Sequence, residues 1–430
     1  MVGRPVALAA APRRARLLRM NGAPARLPRV ALYSHDTMGL GHRRRNLLIA
    51  EVLGRAAVAP VTLTISGATD AGNIAVPPGV DSLVLPAIAK IEGAYCSRRL
   101  ALELDELVAI RSNTIRAALE AFEPDLLIVD NVPRGALGEL DGALTALRAS
   151  GRTRCVLGLR DILDEPEAVR RQWRDSDSEE AIRDFYDAVW VYGDPAVYDL
   201  RREYGLPPDI LRKVLFTGYL DPRERRAAYC PEDKLTAEAL AVPPGHQLVV
   251  CLVGGGQDGG AVVDAFVRAR LPEGMVGIVV TGPLMPEATR RQIRQHTDSS
   301  SRMRVVNALE EPTRLLQRAD RVVMMGGYNT TCEVLAFERP ALIVPRVTPR
   351  QEQLIRAERL QALGLVDMLP PERLTPQEIV DWLARPAGRP RVHGTIDMGG
   401  LTRVSALVDE MLAHPVPRRA RFAEARVYQQ

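Results

Sequence analysis

Between Arg321 and Gly364 the chain has little freedom of fold. A strand, a glycine turn, a helix, a second strand and a second helix follow one another without slack in RVVMMGGYNTTCEVLAFERPALIVPRVTPRQEQLIRAERLQALG. Arg321 to Met325 is an apolar run of strand length, and Gly326-Gly327 lets the backbone turn through conformations closed to residues with a Cβ. A helix should start there. Asn329, Thr330 and Thr331 are N-cap types, and Val334, Leu335 and Phe337 share one helical face. The first turn, in which Glu333 is expected, would present unpaired N–H groups and the positive end of the helix dipole, enough to hold a phosphate. Glu333 itself has two readings: a carboxylate that favours a helix N-terminus, or an acceptor for two ribose hydroxyls.

Ala341 to Val344 is a second strand ended by Pro345. Gln351 then opens a helix with Leu354, Ile355, Ala357 and Leu360 inward, closed by Gly364. Glu352 and Gln353 fall just beyond a strand end, the edge where open α/β sheets bind ligands. These residues resemble the C-terminal domain of family 28 glycosyltransferases, the MurG-like group. Its members carry a glycine turn, a helix with a ribose-binding Glu, then Pro, a short loop and a Gln-containing helix. The resemblance implies that Glu333 binds ribose and that Glu352 and Gln353 bind the donor sugar's hydroxyls. Gly327, Asn329, Thr330 and Thr331 would form the helix start that holds the donor diphosphate. Family members often have two glutamines in the last position, and here the first is Glu352.

At the other end of the chain, Arg29 to Ser34 is a strand. His35 to His42 is a turn with two histidines, and a helix is expected from about Arg43 to Arg55. The turn lacks the third glycine of a dinucleotide fingerprint. It resembles the GGTGGH loop of the MurG-like group, with Gly39, Gly41 and His42 on the pattern and Thr37 and Met38 replacing its first two glycines. Strands are expected at Val61 to Ser66, Ser82 to Leu85, Asp125 to Asp130, Arg154 to Leu159 and Ala188 to Tyr192, with Leu100 to Phe122 the longest helix. Such alternation argues for a parallel sheet wound on both faces. Strand ends would bring Asp130, Arg160, Asp161 and Asp194 to a cleft, although each can equally be a cap or loop residue.

A proline-punctuated polar stretch, residues 220–245, reads as a linker. Gln247 to Val253 then begins a second domain, followed by Gly254-Gly255-Gly256 and a formal GxGxxG match. The next strand, Val276 to Thr281, ends without the acidic residue an NAD site needs, so these glycines suit a close approach to a diphosphate instead. The resemblance implies that Leu309 meets the uracil through its backbone. The expected organisation is a disordered basic extension (1–28), an acceptor-binding Rossmann-like domain (29–219), the linker, and a nucleotide-sugar-binding Rossmann-like domain (246–398). A helix (399–414) crossing back to the first domain and a basic tail (415–430) complete it.

Composition narrows the function. The 430 residues suffice for two domains of about 200. Lysine occurs only at Lys90, Lys213 and Lys234, so the net charge of +4 rests on arginine. That bias is explained by GC-rich coding, and with 4% aromatics there is too little for base stacking. No nucleic-acid partner is expected. The five cysteines form no CxxC pair, which suggests neither zinc nor disulfides and fits a reducing cytoplasm. No apolar run approaches the roughly 18 residues of a membrane span. The protein is expected to be cytoplasmic, with a peripheral contact at the inner face of the membrane left open by Arg418, Arg419, Arg421 and Arg426 of the tail.

Together these readings predict an α/β chain of GT-B architecture, two Rossmann-like doubly wound domains facing across a cleft. The implied activity is metal-independent, inverting transfer of a hexose or N-acetylhexosamine from a UDP-sugar to a hydroxyl of a lipid-linked, glycan or natural-product acceptor. No cofactor or metal is expected beyond the donor as co-substrate. His42 is the expected base, because imidazole titrates near neutrality, with Asp161 and His35 as alternates. Gly39, Gly41, Asp130, Arg160 and Asp161 are expected on the acceptor side. Arg43, Arg44 and Arg45 would meet an anionic acceptor or lie solvated. Two rivals remain: a non-hydrolysing UDP-sugar 2-epimerase, and a nucleotide-sugar-binding protein without turnover.

Overall fold

The computed structural model describes residues 26–36, 41–56, 58–67, 76–91, 94–224, 242–297, 302–309 and 312–414. Most of the basic extension, Thr37, Met38 and Gly39 of the first loop, most of the linker, and the basic tail lie outside the described residues.

The N-terminal half runs β1 (Arg29–Ser34), α1 (Gly41–Leu53), β2 (Val61–Ser66), β3 (Val80–Val84), β4 (Ile88–Ile91), β5 (Ala94–Ser97), α2 (Leu104–Phe122) and β6 (Leu126–Asp130). It continues through α3 (Asp141–Ser150), β7 (Arg154–Arg160), α4 (Pro166–Asp175), α5 (Ser178–Phe185), β8 (Ala188–Tyr192) and β9 (Val214–Phe216). Seven strands form one sheet in the order β3-β2-β1-β6-β7-β8-β9, all parallel. Its central strands β6, β7 and β8 read as largely apolar runs because both faces are covered. In β1, Val30 and Leu32 pack with Ile49 and Leu53 of α1, whereas Ala31 and Tyr33 pack with Ile115 and Leu119 of α2.

The C-terminal half runs β10 (Gln247–Leu252), α6 (Gly260–Arg268), β11 (Met275–Val280), α7 (Glu287–Thr297), β12 (Met303–Val306), α8 (Thr313–Arg318) and β13 (Arg321–Met324). Then come α9 (Tyr328–Ala336), β14 (Ala341–Ile343), α10 (Glu352–Ala362), β15 (Asp367–Met368) and α11 (Pro376–Ala384). Six parallel strands order as β12-β11-β10-β13-β14-β15. The last helix, α12 (Gly400–Ala413), packs against the N-terminal half. Its Leu401, Val404 and Val408 join the core around α1, and its end is held by Arg154, which donates to the His414 carbonyl at 2.6 Å.

Strand order reverses between β1 and β6 in one sheet and between β10 and β13 in the other. Ligands bind outside the carboxyl ends of strands at such reversals. His35, Asp130, the Gly254 loop and Gly326 are therefore the residues this topology delivers to the cleft.

Three local expectations need correction. Helix α1 begins at Gly41, two residues early, because Asp36 accepts the Arg43 N–H at 3.0 Å and pins the first turn. Helix α9 is capped by Gly327 and not by Asn329, Thr330 or Thr331, with no side-chain cap. Glu333 consequently lies one turn deeper than the first. The antiparallel ribbon β4–β5 was not foreseen, its two four-residue strands being too short to show a period.

Candidate active site

His42 sits in the first turn of α1, facing the end of β6. Its Nδ1 lies 2.5 Å from Asp130 Oδ2, with 19% of the histidine side chain exposed and 1% of the aspartate. Arg45, one turn along the same helix, donates from Nε to Asp130 Oδ1 at 2.8 Å and from its terminal nitrogen to both carboxylate oxygens at 2.7 Å. That nitrogen is also 3.0 Å from His42 Nδ1. An ionised carboxylate can only accept, so the proton belongs on Nδ1, and Nε2 is left as the nitrogen that can take one. Burial alone would raise the Asp130 pKa, but Arg45 and then His42 hold it down at about 2.

The sign of that shift makes a stability prediction. The folded pKa lies below the unfolded value, so the gain is complete above about pH 4 and is lost as pH falls toward 2, an amount of about 2 kcal/mol. Urea unfolding between pH 5 and 2.5 should show this loss in the native protein and not in Asp130→Asn.

His35 packs against His42, ring centroids 4.7 Å apart and planes tilted by 48°, with its Nδ1 buried and without a hydrogen-bond partner among the described residues. Burial, then the neighbouring His42, pushes its pKa well below the usual value. It stays neutral and is a poor proton acceptor, which weighs against it as a base.

Across the cleft, Gly327, three residues beyond β13, opens α9, leaving the first backbone N–H groups uncapped by any side chain among the described residues. Gly326, at φ 86°, could not carry a side chain without strain and without striking Ile343. The two halves touch here: Asn329 Nδ2 donates to the Gly41 carbonyl at 2.9 Å, and Arg44 donates to Glu333 Oε1 at 2.8 Å. Thr331 is fully buried, and Thr330 lies beside it in the same turn. The glycine loop faces the same cleft. Gly256, at φ 90°, packs so closely on the Thr281 carbonyl that a Cβ would collide with it, and Gly254 has φ 62°. Gly255 lies between them, and Leu309 is partly buried beyond β12.

A third cluster joins β7 to α10. Arg356 is wholly buried and forms a double salt bridge to Asp161, 2.8 Å from Nε to Oδ2 and 2.6 Å from NH2 to Oδ1. Asp161 also accepts from the Tyr219 hydroxyl at 3.0 Å, and Arg356 donates to the Gly326 carbonyl at 2.8 Å. Asp161, expected as an alternate base, has both oxygens committed to a guanidinium and 1% exposure. It holds the domains together and supports the glycine turn.

Beside it, Glu352 Oε1 accepts from Arg346 at 2.7 Å and lies 3.8 Å from Arg160. Burial would raise the Glu352 pKa, but Arg160 and Arg346 outweigh it and hold it below the usual range. Its Oε2 is buried without a partner among the described residues. Gln353 Oε1 accepts the Arg346 N–H at 3.0 Å, and Arg346 reaches Asp258 of the glycine loop at 2.9 Å. Among the described residues no group of three or more His, Cys, Asp or Glu is placed to hold a metal ion.

The structure thus brings His42, Asp130, Glu333, Asn329, Glu352 and Gln353 to one cleft. Sequence reasoning placed Asp130 at a strand end but missed its pairing with His42. The spacing of His42 and Arg45, three apart on a helix and so on one face, is the signal that could have suggested a shared partner.

No family model matches the chain. A curated relative, the UDP-N-acetylglucosamine–N-acetylmuramyl-(pentapeptide) pyrophosphoryl-undecaprenol N-acetylglucosamine transferase of Saccharopolyspora erythraea, is 29% identical over 138 residues, 32% of this chain and 36% of its own length. The chain therefore spans about a third of the curated relative it matches. Two solved structures share its fold over nearly all its length. The calicheamicin glycosyltransferase CalG4 aligns with a TM-score of 0.56 at 15% identity, covering 92% of this chain and 99% of that one. The UDP-GlcNAc 2-epimerase of Neisseria meningitidis aligns with a TM-score of 0.56 at 12% identity, covering 90% of this chain and 99% of that one. The chain has the GT-B architecture, two Rossmann-like sheets facing across a cleft, and over the matched segment it resembles the MurG-like transferases of family 28.

Proposed function

We propose that the protein is a metal-independent, inverting glycosyltransferase that moves a hexose or N-acetylhexosamine from a UDP-sugar to an acceptor hydroxyl. The observation that carries this reading is the His42–Asp130 dyad, set in the N-terminal half opposite the uncapped start of α9. A general base and an anion site on opposite walls are what single displacement requires.

In the proposed reaction, Nε2 of His42 takes the proton of the acceptor hydroxyl while that oxygen bonds to the anomeric carbon from the face opposite the leaving group. Asp130 accepts the Nδ1–H and stabilises the imidazolium. The bond from the anomeric carbon to the diphosphate oxygen breaks, and the departing UDP is met by the N–H groups of Tyr328, Asn329 and Thr330 and by the Gly254–Gly256 loop. Glu333 would take the ribose hydroxyls. Oε2 of Glu352, buried without a partner among the described residues, would accept from a sugar hydroxyl, with Gln353 beside it.

The sequence match to a UDP-N-acetylglucosamine transferase supports the donor class. Acceptor identity is left to the N-terminal half. No described helix is long and apolar enough to cross a membrane. A peripheral contact at the inner membrane face, with a lipid-linked acceptor, is the extension we propose from the same relative.

Two measurements test this. UDP at about 100 times its dissociation constant should stabilise the protein by roughly 2.7 kcal/mol. The shift should persist in EDTA and vanish in Glu333→Ala. UDP should then be released from UDP-N-acetylglucosamine only when an acceptor is supplied. Isomerisation of the donor alone would establish the epimerase instead, and donor binding without turnover on any acceptor would leave a binding protein.

A further inference from the structure

A cation from the opposite domain lies on the proposed ribose ligand. Arg44, in the first turn of α1, spans the cleft to Glu333 Oε1 at 2.8 Å, with 24% of the arginine side chain exposed and 5% of the glutamate. The guanidinium is at the mouth of the pocket and the carboxylate beneath it. Thr313, Asn329 and Cys332 line the same pocket from the C-terminal half. Of the three consecutive arginines, Arg45 is bound to Asp130, so Arg44 is the one aimed at the donor wall.

Resting on the nucleotide-sugar reading above and deepening it, the geometry gives Arg44 two opposed effects on a ligand. Ribose hydroxyls and Arg44 compete for the Glu333 carboxylate. A diphosphate attached to that ribose would lie within one sugar unit, against the start of α9. A guanidinium binds phosphate oxygens as readily as carboxylate oxygens, often through two parallel N–H bonds. We propose that Arg44 is a positioning residue whose guanidinium transfers from Glu333 to the diphosphate when donor binds. The phosphates thereby release the ribose site, and the protein selects nucleoside diphosphates over nucleosides. The transfer also brings a positive charge from the acceptor domain onto the leaving group, coupling donor occupancy to the approach of His42, two residues away on the same helix.

Calorimetric titration of uridine and UDP against the native protein, Arg44→Ala and Arg44→Lys tests this. Arg44→Ala should bind UDP about tenfold more weakly, yet bind uridine more tightly, because the competitor for Glu333 is gone. Arg44→Lys should recover part of the UDP affinity. Tighter binding of both ligands by Arg44→Ala would make Arg44 a plug with no role toward phosphate. Weaker UDP with unchanged uridine would make it a phosphate ligand independent of Glu333, and no change in either would leave it without a role; each of these overturns the proposal. Failure of the native protein, shown folded by its unfolding transition, to bind either ligand would instead overturn the nucleotide-sugar reading. Cooperative unfolding transitions of the unliganded variants, recorded in parallel, should show each of them folded at the titration temperature, so that a loss of UDP affinity is not a loss of fold.

Discussion

His42→Gln is expected to lower kcat by about 10²–10⁴-fold, the range over which a positioned general base contributes. Glutamine fills similar space and keeps a hydrogen-bonding group toward Asp130, but it cannot take a proton at neutral pH. The donor site is on the other wall of the cleft, so the thermal shift given by UDP should be unchanged. Initial-rate kinetics with saturating donor and acceptor, alongside UDP titration, separates the two effects. Asp130→Asn should lose less, because imidazole remains but is no longer held with Nδ1 protonated by an ionised carboxylate. A His42→Gln enzyme that retained full kcat would require another base. The geometry leaves few: His35 is held neutral by burial, and Asp161 is committed to Arg356.

The elements within each domain were legible because they are written locally. Strand runs such as LLIVD and AVWVY are buried on both faces and punctuated by glycine, proline or acidic caps, so these were found to within a residue or two, whereas the short strands β9 and β15 and the β4–β5 ribbon were not. The doubly wound order follows from alternation alone. What could not be read was the pairing of residues far apart in the chain, within the N-terminal half or across the cleft. His42 and Asp130 are 88 residues apart, Asp161 and Arg356 are 195, and Arg44 and Glu333 are 289. No periodicity carries information over such distances. Arginine abundance hid the signal further. In a chain where nearly every basic residue is arginine, Arg44, Arg45, Arg346 and Arg356 look like coding bias until each is seen to meet a different carboxylate. The cap of α9 was misassigned for a related reason: Asn329 is a cap type by chemistry, yet its amide is used across the cleft on the Gly41 carbonyl.

Asp161→Ala is expected to destabilise the protein by about 3–5 kcal/mol, because it leaves the fully buried Arg356 cation without its partner. The cost is that of stranding a charge, so removing both should recover most of it. Asp161→Ala with Arg356→Met, or a larger apolar pair, ought to unfold in urea nearer the native midpoint than either single variant does. The pair does more than add stability. Arg356 also donates to the Gly326 carbonyl, at the turn that aims the start of α9 into the cleft. The apolar double variant should therefore regain stability but not the native affinity for UDP, since the turn has lost its donor. This distinguishes a structural brace from the base that the sequence offered as an alternate. Asp161→Asn keeps the shape and some hydrogen bonding; if it folded with native stability and native UDP affinity yet lost kcat by a hundredfold, Asp161 would have to be restored as a proton acceptor. With both oxygens held by a guanidinium and a tyrosine hydroxyl on one of them, the expected outcome is the reverse: stability and donor affinity fall first, and kcat follows only as far as the site is misaligned.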